Sequence, residues 1–246
     1  KRIMLWYAHR QSSWRVRLGA RMADVIGTIA EGSFPFSSSK VRVMGHGIPI
    51  DRFAPEAAVS NPGRLIAVGR ISPIKRLERL IDAIGVLRGK GLDVRLDLWG
   101  EPVMAGDHSY GDHSYKEALE RRIEDEGLSE AVSFRGAAAY ARMPEVDAAA
   151  SIALNACPDG ALDKAVLEAM ACARPVVVTN RNFAPLFGGD AESCLAADDP
   201  VDIAAKIEAH LAHPDIGLGS RLRDAVERGH SLKRLIARIL SSYERA

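Results

Sequence analysis

Cysteine is scarce: the 246-residue chain has three, Cys157, Cys172 and Cys194, with no C-x-x-C pair. An odd number without that spacing argues against a disulfide framework and against a zinc site, and fits a reducing cytosol. Long hydrophobic runs are missing too. No apolar stretch approaches the ~20 residues that a transmembrane helix needs. Excess charge of either sign is lacking, since Lys plus Arg number 33 and Asp plus Glu number 32. The whole molecule therefore has no electrostatic bias toward nucleic acid or an anionic membrane, and any anion site must be local. No G-x-G-x-x-G follows a strand and no G-K-S/T loop occurs, which sets aside dinucleotide-dependent dehydrogenases and P-loop NTPases. The remainder, 47% hydrophobic and 26% charged, has the balance of a soluble globular protein of one large or two modest domains.

Along the chain, a short apolar strand at residues 3–8 follows a basic start. It is too short for a signal-peptide core and has no convincing cleavage site. A strand opening without an initiator Met points to a fragment or processed product. Ser12 or Ser13 caps a helix over 14–23, made basic by Arg15, Arg17 and Arg21 with Arg10 just before it. A solvated or interface-facing helix is favoured over one lying on a membrane. Strands follow at 25–30 and 41–44. Residues 49–63 form a polar, Pro-containing connection, which places the boundary between a partial first domain (1–60) and a larger second one (61–246).

Beyond it, strands at 64–68, 94–99, 132–134, 151–155 and 175–179 alternate with helices at 77–88, 115–126, 143–150 and 164–173. Further helical pattern covers 202–212 and 222–243. Leu77, Leu80, Ile81, Ile84 and Leu87 share one helix face. This alternation predicts an α/β fold, a Rossmann-like parallel sheet with helices on both faces, and it directs the search for ligands to the carboxyl ends of the strands.

Two loops there carry chemistry. Gly69 permits a tight turn at a strand end, and Arg70 and Lys75 follow on one loop before a helix. A guanidinium fork and a compact ammonium suit a diphosphate, although two solvated cations would read the same. The second loop, Asp159-Gly160-Ala161-Leu162, leads into a helix whose first residues are Lys164 onward, and exposed amides there suit an anion or sugar hydroxyls. Glu168 lies a turn inside that helix between Leu167 and Ala169. A carboxylate there needs a partner, either a ribose diol or a neighbouring cation. A tandem GDHSY pentapeptide at 106–115 brings two His and two Asp together. A duplicated surface loop is favoured over a metal site.

Several segments, in order, resemble the C-terminal half of retaining family 4 glycosyltransferases of the GT-B fold. Gly45-His46-Gly47-Ile48 with Phe53 and Pro55 is similar to the family's N-G-I-D and F-x-P linker. Gly69-Arg70 with Lys75 resembles G-R-x-x-x-x-K-G, with Arg76 where Gly is usual. Leu98-Trp99-Gly100-Glu101 resembles a strand ending in G-x-G. Val132-Ser133-Phe134-Arg135-Gly136 matches V-x-F-x-G. Leu167 to Val177 matches L-E-A-M-A-x-G-x-P-V-V, with Ala173 in place of Gly. Together these span about 200 residues.

The resemblance implies a nucleoside-diphosphate-sugar donor as substrate, with no cofactor and no metal, and transfer with retained anomeric configuration. Arg70 and Lys75 would hold the diphosphate and serve catalysis, and Glu168 would bind the ribose. The backbone at Arg135 and Gly136 would meet the base. Gly69 would shape the turn, and Asp159, Gly160, Ala161 and Leu162 would face the sugar, with Lys164 near phosphate or sugar. The family's paired glutamates are separated by seven residues, and the first falls on Gly160 here, beside Asp159. Residues 1–60 resemble the last strands of the acceptor domain, so most of that domain appears missing and transfer by this chain alone is expected to be negligible. The acceptor (a glycan, a lipid-linked or a small molecule) is not readable. Neither a nucleic-acid partner nor a transmembrane segment is expected, and the setting is the cytoplasm or a membrane periphery. The alternatives are a non-catalytic nucleotide-sugar-binding domain and a sugar-nucleotide epimerase of the same fold.

Overall fold

The structure, a computed structural model, describes residues 1–9, 11–55, 61–102 and 114–244, with the backbone alone at Glu244. Three short strands, β1 (Met4–Trp6), β2 (Val25–Thr28) and β3 (Val41–Val43), form a parallel sheet in that order. Helix α1 (Trp14–Met22) joins the first two, and the Ser13 hydroxyl caps it by accepting from the Val16 amide. The helix buries none of its residues, as its Arg-rich pattern anticipates. Under this sheet lies a small core of Ala23, Ile26 and Phe34.

The larger sheet contains β4 (Arg64–Val68), β5 (Arg95–Trp99), β6 (Val132–Gly136), β7 (Ile152–Asn155) and β8 (Val176–Val178), all parallel, in the order β6-β5-β4-β7-β8. Side chains alternate across it. Leu65 and Ala67 join one core with α2 (Leu77–Gly89), α3 (Ser114–Asp125) and α8 (Pro200–Ala212). Ile66 and the half-buried Val68 join the other, with α4 (Met143–Ala148), α5 (Lys164–Ala171) and α9 (Leu218–His230). The expected apolar face of α2 is buried in full, with Ala83 added. Each such Leu or Ile contributes about 1.5–3 kcal/mol by leaving water. Linker residues Ile48 and Phe53 are fully buried in the second core.

Three details differ from the sequence expectation. Short helices α6 (Ala184–Phe187) and α7 (Ala191–Cys194) fill the stretch after β8. Helix α5 ends at Ala171 rather than 173, because Ala173 adopts φ +56°, in the left-handed region. The expected helix over 222–243 is two helices, α9 and α10 (Leu232–Glu244). The linker causes the break: the Ile48 amide takes the His230 carbonyl (2.7 Å) and the Ile48 carbonyl takes the Leu232 amide (2.8 Å). Helix α10 then returns to the small sheet, where Arg2 donates to the carbonyls of Ser242 and Tyr243 and Arg238 donates to that of Met44.

Most of the GDHSY duplication lies outside the described residues. Its last two residues, Ser114 and Tyr115, open α3. The Tyr115 hydroxyl accepts from the Leu77 amide (3.0 Å) and donates to Glu78 (2.6 Å), tying α3 to the start of α2. Among the described residues no group of three His, Cys, Asp or Glu could hold a metal ion. Among them, too, no helix is long and apolar enough to cross a membrane.

Candidate functional site

In the large sheet the chain first builds outward from β4 through β5 to β6, then crosses back to place β7 and β8 on the other side. The loops after β4 and β7 therefore leave in opposite directions and open a crevice at the carboxyl edge, where open α/β sheets bind ligands. Three glycines at the ends of β4, β5 and β6 keep that edge bare: Gly69 (φ +151°), Gly100 (φ +142°) and Gly136 (φ +71°). The loops are stacked backbone on backbone, with the Gly69 amide on the Trp99 carbonyl and the Gly100 amide on the Gly136 carbonyl, both at 2.9 Å. A Cβ at Gly100 would fall 1.8 Å from the Gly69 carbonyl oxygen, so only glycine fits there.

A cleft of about 420 Å³ lies over this edge. Arg70 and Lys75 line one wall and the 157–164 loop another, with His9 and Ser33 of the N-terminal segment closing the third. The two sequence-predicted cations thus line the same cleft. Lys75 forms an ion pair with Asp163 across the crevice. Burial alone would lower the Lys75 pKa, but the Asp163 carboxylate beside it raises it above the usual value. Burial would raise Asp163, but Lys75, the Asn155 amide (2.9 Å) and the Ala165 amide (3.2 Å) hold it below the usual carboxylate range. Asp163 also caps α5. The Lys75 ammonium and the carboxylate that caps α5 thus neutralise each other, and an anion bound at Lys75 must share it with Asp163.

Glu168 is buried, 6% exposed. Its Oε1 accepts from the Tyr140 hydroxyl (2.8 Å) and meets the Lys164 ammonium (3.1 Å). Lys164 also donates to the Tyr140 oxygen and lies 4.5 Å from that ring's centre. The carboxylate has the cationic neighbour its burial requires; Lys164 lines the cleft, whereas Glu168 itself does not. Behind it sits Asp147 on α4, 1% exposed, with neither carboxylate oxygen hydrogen-bonded among the described residues. Burial first, and the negative Glu168 second, push Asp147 up to about 8.

Of the remaining sequence candidates, Asp159, Gly160, Ala161, Leu162 and Lys164 line the cleft. Arg135 pairs with the buried Asp97 (2.7 Å), which also pairs with Arg64, and neither Arg135 nor Gly136 lines the cleft. Sequence reasoning did not single out His9, Asp163, Tyr140, Asp147 or His46 for the site. For His9 the signal was its place one strand-end away from Trp6. For Asp163 it was the N-cap position before Lys164.

A family model described as Glycosyl transferases group 1 matches residues 62–213. No curated protein matches the chain significantly. Among solved structures, the Anabaena protein HepE, solved with UDP and glucose, matches with TM-score 0.77 at 18% identity, over 100% of this chain and 72% of that one. Sucrose-phosphate synthase from Thermosynechococcus elongatus matches with TM-score 0.79 at 18% identity, over 98% of this chain and 67% of that one. The S. aureus protein TarM, also solved with UDP, matches with TM-score 0.73 at 17% identity, over 92% of this chain and 45% of that one. All three similarities concern the fold.

Proposed function

The chain belongs to the glycosyl transferases group 1 family, and from that premise we propose that it binds a nucleoside-diphosphate sugar at the β4/β7 crevice and supplies the donor half of a retaining glycosyltransferase. The observation that carries this reading is the meeting of Arg70, Lys75 and the 159–164 loop over a glycine-only strand edge. A diphosphate fits there because a guanidinium and an ammonium converge where the backbone can be approached closely. When the sugar leaves, negative charge develops on the diphosphate, and fixed positive groups in a partly dry cleft stabilise it without a metal ion. Glu168, held ready by Tyr140 and Lys164, accepts from the ribose hydroxyls. The backbone of Arg135 and Gly136 meets the base, and the 159–162 loop faces the sugar. Three cysteines without a C-x-x-C pair support a cytoplasmic or membrane-peripheral setting for this work.

Titration calorimetry with UDP, UDP-glucose and their GDP and ADP counterparts tests the reading. Arg70→Ala and Lys75→Ala should each weaken the preferred donor by roughly 1.5–3 kcal/mol, the range for a lost charge-assisted hydrogen bond. Unchanged affinity in both variants would remove the diphosphate assignment. One observation favours binding without turnover as the second reading. Gly160 has no carboxylate, and that of neighbouring Asp159 is engaged by the Arg181 amide at 2.7 Å. Donor affinity with no transfer to any acceptor would support it.

A further inference from the structure

The loop between β7 and α5 is held in an unusual way. Three successive carbonyls each accept from a different side chain. The Gly160 oxygen takes the Asn182 amide at 2.6 Å, the Ala161 oxygen takes the Asn180 amide at 3.2 Å, and the Leu162 oxygen meets His46 Nε2 at 2.8 Å. The pins come from two separate places. Asn180 and Asn182 follow β8, and His46 belongs to the interdomain linker, 116 residues from Leu162. Each pin is itself fixed. Asn180 is 0% exposed and its Oδ1 accepts from the Asn182 amide at 3.0 Å, which settles which end of its side chain donates to Ala161. The backbone amide of His46 donates to His230 Nδ1 at 3.3 Å. Burial lowers the pKa of both imidazoles, so His46 is a neutral ring whose Nε2 carries the proton it gives to Leu162.

A trans peptide sets its N–H opposite its C=O. Pinning the carbonyls of residues 160, 161 and 162 therefore turns each following N–H group, of Ala161, Leu162 and Asp163, away from its pin. Among the described residues none of those three amides donates to a protein acceptor. The same loop lines the cleft with Arg70 and Lys75. We infer that His46, Asn180 and Asn182 are positioning residues, which orient three peptide N–H groups toward the sugar-bearing end of the donor, and that His46 makes this orientation depend on the interdomain linker. The inference rests on the donor reading above for the identity of the ligand, not for the geometry of the loop.

The preorganisation has a physical use. Amides fixed before binding cost no reorganisation when oxygen atoms arrive, whereas a free loop would have to be ordered by the ligand. The experiment compares wild type with His46→Ala, His46→Gln and Asn182→Ala. Gln at 46 keeps an N–H donor at about the reach of Nε2. The first measurement needs no ligand: backbone ¹⁵N order parameters of residues 160–163. They should be near the rigid value of about 0.85 in wild type and His46→Gln, and fall below about 0.6 in His46→Ala and Asn182→Ala. The second is affinity for UDP-glucose and for UMP, which lacks both the second phosphate and the sugar. His46→Ala and Asn182→Ala should weaken UDP-glucose about tenfold and UMP less than twofold, with His46→Gln close to wild type. A loop that stays rigid in both alanine variants overturns the inference. So does an equal loss for UMP and UDP-glucose in folded protein. A wild type that binds none of the UDP, GDP and ADP sugars removes the donor reading, and the order parameters still decide whether the pins position the loop.

Discussion

Among the described residues, two sit in left-handed backbone without being glycine, Arg76 at φ +47° and Ala173 at φ +56°. Both are positions where the sequence departs from a glycine of the family pattern. A Cβ in that region is strained by roughly 1 kcal/mol or more. Arg76→Gly also removes an ion pair to Asp198, but both partners are about a third or more exposed, so that loss is small. Each glycine variant should gain about 0.5–1 kcal/mol, after the added chain entropy of glycine is subtracted. Urea midpoints check this, and a destabilised Ala173→Gly would mean that its methyl group packs usefully. Asp147 gives the second residue-scale prediction. Its folded pKa, about 8, lies above its ordinary value of 3.8, so the folded state keeps a proton that the unfolded state has lost in between. Its contribution to stability is full below about pH 4 and is lost as pH rises through about 8. Relative to Asp147→Asn, the wild type should therefore lose on the order of a few kcal/mol between pH 4 and 8, then run parallel. Melting curves across that range test it, and a constant difference would place the carboxyl in contact with water. Sequence reasoning could flag the missing glycines because a pattern existed to depart from. Nothing could flag Asp147, since a six-residue helix is too short for its polar face to be read.

At the scale of elements, the strand ends are coupled. The Gly100 amide, the Gly136 carbonyl and the Gly69 carbonyl meet in one layer, so a change in one loop moves the others. Gly100→Ala places a methyl group against backbone that has no rotamer to change, at φ +142°. It should cost upward of about 2 kcal/mol and lower donor affinity, whereas Gly91→Ala, also at positive φ but with open space around it, should cost only about 1 kcal/mol and leave affinity alone. Chemical denaturation with parallel titrations separates the two. Comparable effects of both would mean that the stacked loops can shift apart without harm. Most elements were legible because their cause is local: short apolar runs for the strands, the apolar face of α2, the Ser13 cap. The break at Ser231 was not, because 222–243 is periodic throughout and the linker that interrupts it is some 180 residues earlier in the chain. The Lys75–Asp163 pair was illegible for the same reason. Lys75 stood out in its own loop but Asp163 did not, and only the sheet order brings the two loops together.

At the scale of the whole molecule, the linker joins the two sheets through two arginines that do different work. Arg223 on α9 donates to the carbonyls of Phe53 (2.6 Å), Ile50 (3.1 Å) and Ala171, stapling the end of the linker to the core of the larger sheet. Arg238 on α10 donates to the carbonyls of Met44 (2.8 Å) and Gly229 (3.0 Å), stapling its start to the returning helix. Removing either leaves backbone acceptors short of a donor, which costs about 1–3 kcal/mol for each one that water cannot reach. The location of that cost differs. Arg223 anchors carbonyls beside the fully buried Phe53 and Ile48, so Arg223→Ala should lower the stability of the larger unit and shift its main unfolding transition. Arg238 sits where α10 meets the small sheet, whose own core cluster, among the described residues, holds only Ala23, Ile26 and Phe34 as buried apolar residues. Such a small core depends on its neighbour, so Arg238→Ala should leave the main transition nearly in place and loosen the small sheet from it. Limited proteolysis reads the difference. Cleavage within residues 49–63 should accelerate several-fold in Arg238→Ala under conditions where the larger unit is untouched, following the population of locally opened molecules. If Arg238→Ala instead lowers the main transition as much as Arg223→Ala does, the two sheets unfold as one cooperative body. The linker is then a part of a single core, and not a joint between two.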